Sequence, residues 1–164
     1  MDTKERYYML MSARIGATHR LPAHRLLFHN RKEGIMSEKI LSKTIKVEEE
    51  NLAVAMGSGS LMVLATPAVV ALMENAAAEL AQNELASDEL TTVGTMISIE
   101  HTSPTPLGAD VTATAKLIET DGRTFKFEVF AQDKKGEIAR GTHTRVSVKA
   151  EKFQMKADGK FDEV

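Results

Sequence analysis

A chain of 164 residues with a formal net charge of −2 and no cysteine is long enough for one domain with a sizeable core and short for two. The near-balanced charge gives no overall pull towards nucleic acid, and the missing thiols exclude disulfides, cysteine nucleophiles and thiolate metal sites, a composition that fits a reducing compartment. No apolar run reaches the roughly 20 residues of a membrane span and the start lacks the apolar core of a secretory signal, so the expectation is a cytoplasmic protein with no membrane partner.

Residues 1–35 hold seven Lys/Arg against three Asp/Glu, together with His19, His24 and His29. Such a segment reads as an N-terminal extension without regular structure more readily than as a nucleic-acid arm. Lys32-Glu33-Gly34-Ile35 precedes Met36, and the codons AAG-GAG-GGN would spell a bacterial ribosome-binding sequence there. The native start is therefore expected at Met36, and a single domain over 36–164.

From Lys39 to Val47, Ile40, Ile45 and Val47 alternate with polar residues as in a strand, which Glu48-Glu49-Glu50 ends. Gly57-Ser58-Gly59-Ser60 reads as a flexible loop, able to act as a lid, that leads into the one long helix. In that helix Val69, Leu72, Met73, Ala76 and Leu80 recur at three-to-four spacing, while Asn75, Glu79 and Gln82 line the opposite stripe. Thr66 reads as its cap, followed by Pro67 at the first helical position. Glu74 falls beside Val70, Ala77 and Ala81 on the flank of the apolar face, where a carboxylate needs a reason.

After a turn over Ala86 to Glu89 the period becomes two. Val93, Thr95, Ile97, Ile99 and His101 form the inward set, Gly94 and Met96 the outward one, and Pro104 and Pro106 end the strand. A second strand places Val111, Ala113, Ala115 and Leu117 inward, and Asp121-Gly122 is a hairpin signal leading to a return strand with Phe125, Phe127, Val129 and Ala131. Lys134-Lys135-Gly136 turns the chain into a last strand, Glu137 to Lys149, with Ile138, Val146 and Val148 on its buried side. From Glu151 onward the charged end is expected to fray. One strand, one long helix and an antiparallel meander of four strands give an α+β domain. A curled antiparallel sheet of about five strands wrapped around one long central helix is the hotdog arrangement.

The histidines at 19, 24, 29, 101 and 143 fall in no metal-binding spacing, and Gly57-Ser58-Gly59 lacks the Lys-Ser/Thr of a phosphate loop. No metal and no cofactor is expected. Three polar groups remain at the interface of helix and sheet: Thr66, Glu74 and His101. Singly they read as a helix cap, a flank carboxylate and a satisfied core histidine. Together they match nucleophile, base and orienting group, and point to acyl transfer or hydrolysis.

Ala65-Thr66-Pro67-Ala68, Glu74 eight residues after the Thr, His101 within Ile99-Glu100-His101-Thr102, and Arg140-Gly141-Thr142-His143-Thr144-Arg145 resemble the fluoroacetyl-coenzyme A thioesterase-like group of hotdog-fold thioesterases, over about Glu38 to Val148. The resemblance implies Thr66, Glu74 and His101 as a catalytic triad, with Gly94 against the acyl group; Gly59, Ser60 and His143 are expected as further substrate contacts. It also implies a homodimer, or a dimer of dimers, with coenzyme A, part of the substrate, entering at the subunit interface. The founding member of the group carries bulky aromatic lid residues shortly before its Thr; Gly57-Ser58-Gly59-Ser60 stands there in this chain, so selectivity for a fluoroacetyl group is not implied.

The resulting expectation is an acyl-CoA thioesterase acting on a small acyl group. Glu74 serves as base on water or on Thr66, His101 polarises the thioester or orients the attacking group, and Thr66 is either nucleophile or water-positioning group. Two other readings use the same residues: hydration of an enoyl thioester, and an acyl-CoA-binding module without catalysis.

Overall fold

Seventeen residues, Thr66–Gln82, form the long helix α1, and its buried stripe is Ala68, Val69, Leu72, Met73, Ala76, Ala77, Leu80 and Ala81. The computed structural model describes residues 38–161; the extension expected over 1–35 and the start expected at Met36 lie outside them. The α1 stripe packs on five antiparallel strands: β1 (Ile40–Lys46), β2 (Leu90–His101), β3 (Asp110–Thr120), β4 (Thr124–Asp133) and β5 (Gly136–Lys149). One helix laid on one open antiparallel sheet is the hotdog arrangement. Half of the α1 stripe is alanine, as are Ala113 and Ala115 of β3 beneath it. Small residues on both sides let helix and sheet approach closely, while Phe125 and Phe127 of β4 fill the volume alongside.

The strand order is β1-β3-β4-β5-β2. Only β3, β4 and β5 form a meander; β2 crosses over to pair with β5, so β2 is an edge and the expected four-strand meander is shorter by one. The segment between His101 and Asp110 is too long, and with Pro104 and Pro106 too stiff, to close β2 onto β3 as a tight hairpin. The β3–β4 hairpin does form at Asp121-Gly122. The Asp121 carboxylate accepts from the backbone N–H groups of Arg123 and Thr124 at 2.8 and 2.6 Å, and Gly122 takes φ +85°.

Four local expectations change. The N-cap of α1 is Ala65, with no side-chain cap bond; Thr66 is the first helical residue, and its hydroxyl is engaged elsewhere. A register shift between Gly94 and Met96 leaves Thr95 as an extra residue in β2. Thr92 and Gly94, not Val93 and Thr95, therefore face the helix before the bulge, and Ile97, Ile99 and His101 after it. On β5 the fully buried side chains next to the bulge are His143 and Arg145, while Val146 and Val148 are half-buried. Finally, the charged end is a helix, α2 (Ala150–Asp158), with no buried residue. Among the described residues no helix is long and apolar enough to cross a membrane.

Candidate active site

The entry to α1 is held from two sides. The Ala65 N–H donates to the Asn51 carbonyl at 2.8 Å, and the Leu64 N–H to that of Thr105 at 2.9 Å. These bonds set Thr66 opposite His101, the last residue of β2, with Thr66 Oγ1 and His101 Nδ1 3.0 Å apart. His101 Nε2 is buried and has no hydrogen-bond partner among the described residues. The pair opens into a cleft of about 260 Å³ lined by Ala53, Ser58, Leu64, Ala65, His101 and Ser103 among others. Because neither a side-chain cap nor an acidic residue occupies the first turn of α1, the positive end of its dipole is left open to charge developing beside Thr66.

Glu74 lies elsewhere. Eight residues along an α-helix is about 12 Å, so within one chain Glu74 does not meet Thr66. Its carboxylate sits 3.8 Å from His143 Nε2 and directly above Gly94, where an added Cβ would come within 2.7 Å of Glu74 Oε1 and 3.1 Å of His143 Cε1. Only a glycine leaves room for this carboxylate and imidazole against the strand. The bulge at Thr95 is what turns Gly94 towards them.

Behind Glu74 is a buried polar network, of which the sequence reading singled out only His143. Arg145, 8% exposed, donates from Nε to Thr92 Oγ1 at 2.9 Å, from one terminal nitrogen to the Thr92 carbonyl at 2.8 Å, and from the other to His143 Nε2 at 3.2 Å. His143 donates its Nδ1–H to the Met96 carbonyl at 2.7 Å. Burial, and then the Arg145 charge, push the His143 pKa below its ordinary value, against the opposing pull of the Met96 carbonyl and Glu74. The imidazole is therefore neutral near pH 7, with its proton on Nδ1 and its Nε2 lone pair turned to Arg145. Burial lowers the Arg145 pKa and the Glu74 charge opposes that. Glu74 is the anionic partner of the whole cluster.

Two separate polar clusters result: Thr66 with His101 at the mouth of α1, and Glu74 with Gly94, His143 and Arg145 two turns deeper beside the β2 edge. Gly59 and Ser60 lie on the exposed loop outside the lining of the Thr66 cleft, whereas Ser58 lines it. Among the described residues no group of three or more His, Cys, Asp or Glu is placed to hold a metal ion.

Residues 47–151 match the family model described as fluoroacetyl-CoA-specific thioesterase. The chain is 40% identical over 94 residues, covering 57% of its own length and 67% of the relative's, to the fluoroacetyl-CoA thioesterase of Streptantibioticus cattleyicolor. Among solved structures, a variant of a fluoroacetyl-CoA-specific thioesterase in complex with fluoroacetate and CoA aligns with TM-score 0.69 at 31% identity, over 74% of this chain and 98% of the other. A hot-dog-like protein from Thermanaerovibrio acidaminovorans aligns with TM-score 0.67 at 22% identity, over 76% and 91%.

Proposed function

Because the chain belongs to the fluoroacetyl-CoA-specific thioesterase family, we infer that it is an acyl-CoA thioesterase, hydrolysing a small acyl-CoA thioester to the free acid and coenzyme A. The observation that carries the mechanism is the 3.0 Å contact between Thr66 Oγ1 and His101 Nδ1. The Thr66 hydroxyl gives its proton to His101 Nδ1 as Oγ1 attacks the thioester carbonyl, beside the open N-terminus of α1. The C–S bond breaks, and His101 returns the proton to the departing thiolate. With a parent thiol pKa of about 8.5, that thiolate leaves readily. Water then attacks the acyl-Thr66 ester; Glu74 accepts its proton and delivers it to Thr66 Oγ1 as the ester C–O bond breaks and the acid departs, which restores the carboxylate.

The deacylation step requires Glu74 near Thr66, which one chain does not provide. We assign the working enzyme as a homodimer in which Glu74 of the partner subunit, with its Gly94 support, faces the Thr66–His101 pair. Three features support this assignment. The free edge of β2 is open to pairing with a second copy; Met96 stands 47% exposed on that strand; and His101 Nε2 lacks a partner among the described residues. A cysteine-free sequence suits a cytoplasmic enzyme. The loop Gly57–Ser60 places no aromatic side chain over the cleft, so a fluoroacetyl preference is not assigned.

A free-thiol release screen over acyl-CoA chain lengths, with an enoyl-CoA in parallel, tests the activity. Thiol release from short acyl-CoA is expected, reduced at least about a hundredfold in Glu74→Gln, the lower end of what general-base catalysis supplies. Hydration of the enoyl-CoA without thiol release would move the protein to a different reaction.

A further inference from the structure

Beyond the Thr66 cleft lies a second, larger one whose charge the mechanism does not use. It measures about 720 Å³ and is lined by Pro106, Leu107, Gly108, Asp133, Lys134 and Lys135 among others; Ser103 and Pro104 line both clefts, which makes the two neighbours. Several bonds hold the walls of the two clefts together. The N–H groups of Thr102 and Ser103 both donate to the Ile138 carbonyl, at 2.9 and 3.3 Å, and Thr105 Oγ1 donates to Asp133 at 3.0 Å. The β4–β5 turn is thereby tied to the segment that follows His101.

The charges in this cleft are unequally engaged. Asp110 is paired with Lys46 at 3.1 Å. Asp133 already accepts from Thr105 and, at 2.7 Å, from the Lys135 N–H. Lys134 and Lys135 have exposed side chains and no ion pair among the described residues. Two uncommitted ammonium groups stand over a cleft large enough for a nucleotide, with Pro104, Pro106 and Leu107 as an apolar wall. Ser103 and Pro104 stand between this cleft and the one lined by Thr66 and His101.

We propose that Lys134 and Lys135 bind the phosphate groups of the coenzyme A nucleotide, with the pantetheine arm passing Ser103 and Pro104 to reach Thr66. This subsite rests on the thioesterase reading, and it places substrate selection at the β4–β5 turn. Phosphates meeting exposed ammonium groups gain little per pair in water. The contribution is therefore one of affinity, falling with ionic strength, and it acts on KM.

The test is the selectivity between an acyl-CoA and the same acyl group on N-acetylcysteamine, which has no nucleotide. In Lys134→Ala/Lys135→Ala the ratio of kcat/KM for the two substrates is expected to fall about tenfold, two exposed pairs at about 0.7 kcal/mol each, through KM for the CoA ester. Lys152→Ala/Lys156→Ala, an equal charge change on α2, serves as control and is expected to keep the parental ratio. An unchanged ratio in the Lys134/Lys135 variant, or the same fall in the control, overturns the subsite. If the parent hydrolyses neither ester, the enzymatic reading fails, and calorimetry with adenosine 3′,5′-bisphosphate decides the subsite by itself. Binding weakened about tenfold in the Lys134/Lys135 variant supports it; equal binding by both proteins, or none by the parent, overturns it.

Discussion

Gly94→Ala separates site geometry from stability. The new methyl would lie 2.7 Å from Glu74 Oε1 and 3.1 Å from His143 Cε1. The first distance is impossible for real atoms, but Oε1 is the end of a flexible and partly exposed side chain, so the carboxylate swings away at small cost. The second asks the imidazole to yield by a few tenths of an ångström, against its bonds to Met96 and Arg145. Overpacking of this kind costs about 1–2 kcal/mol. Since Gly94 has no positive φ, alanine recovers about 0.4–1 kcal/mol by restricting the unfolded chain. The net loss is about 1 kcal/mol, a fall in Tm of roughly 2–4 °C for a domain of this size. Turnover responds differently: moving a catalytic group by about 1 Å costs on the order of a hundredfold. Thiol-release kinetics and a melting curve on one preparation give both numbers. Parental turnover in Gly94→Ala would refute the placement of Glu74 against this strand as catalytically relevant.

Thr66→Ser keeps the hydroxyl facing His101 and should retain turnover within about tenfold, whereas Thr66→Ala should lose it; because Ala65 is the cap, neither should melt much below the parent. Arg145→Met removes three donors and strands the Thr92 carbonyl and His143 Nε2, so a loss of about 2–3 kcal/mol is expected in denaturant titration. For His143 the sign follows from its lowered pKa. Above the ordinary pKa of 6.5 its neutral form is common to folded and unfolded chains. As pH falls below that value, protons bind the unfolded state first and stability is lost. The fall in Tm between pH 7 and pH 5 should therefore be steeper in the parent than in His143→Gln.

The helix and the antiparallel strands were legible because their periods are long: α1 buries the residues its 3.6 spacing marks, β4 buries its own on alternate positions, and β3 buries Val111, Ala113 and Ala115, with Thr114 between them covered as well. The contact between Thr66 and His101 was legible as a convergence of two element ends. Long-range choices were not. A Thr-Pro pair signals a cap locally, and nothing near it reveals that a histidine 35 residues away takes the hydroxyl. The extra residue at Thr95 leaves the alternation of the sequence intact while inverting which face residues 92–94 present. Arg145 looks like a solvated strand residue, because the groups that make its burial tolerable lie at Thr92, 53 positions earlier. Its position two residues after His143, opposite Phe125, was the available clue. The helix α2 escaped notice because it is short and highly charged, and none of its residues is buried.

The central claim is that one active site draws on two chains, and co-expression of differently tagged Thr66→Ala and Glu74→Gln subunits tests it most directly. Each variant alone should be nearly inactive. In a mixed dimer one of the two sites receives an intact Thr66–His101 pair from one subunit and an intact Glu74 from the other. With random pairing half of the dimers are mixed, so about a quarter of parental thiol release should return, and purified mixed dimers should show about half. Activity in the mixed dimers no higher than in either variant alone would contradict the account.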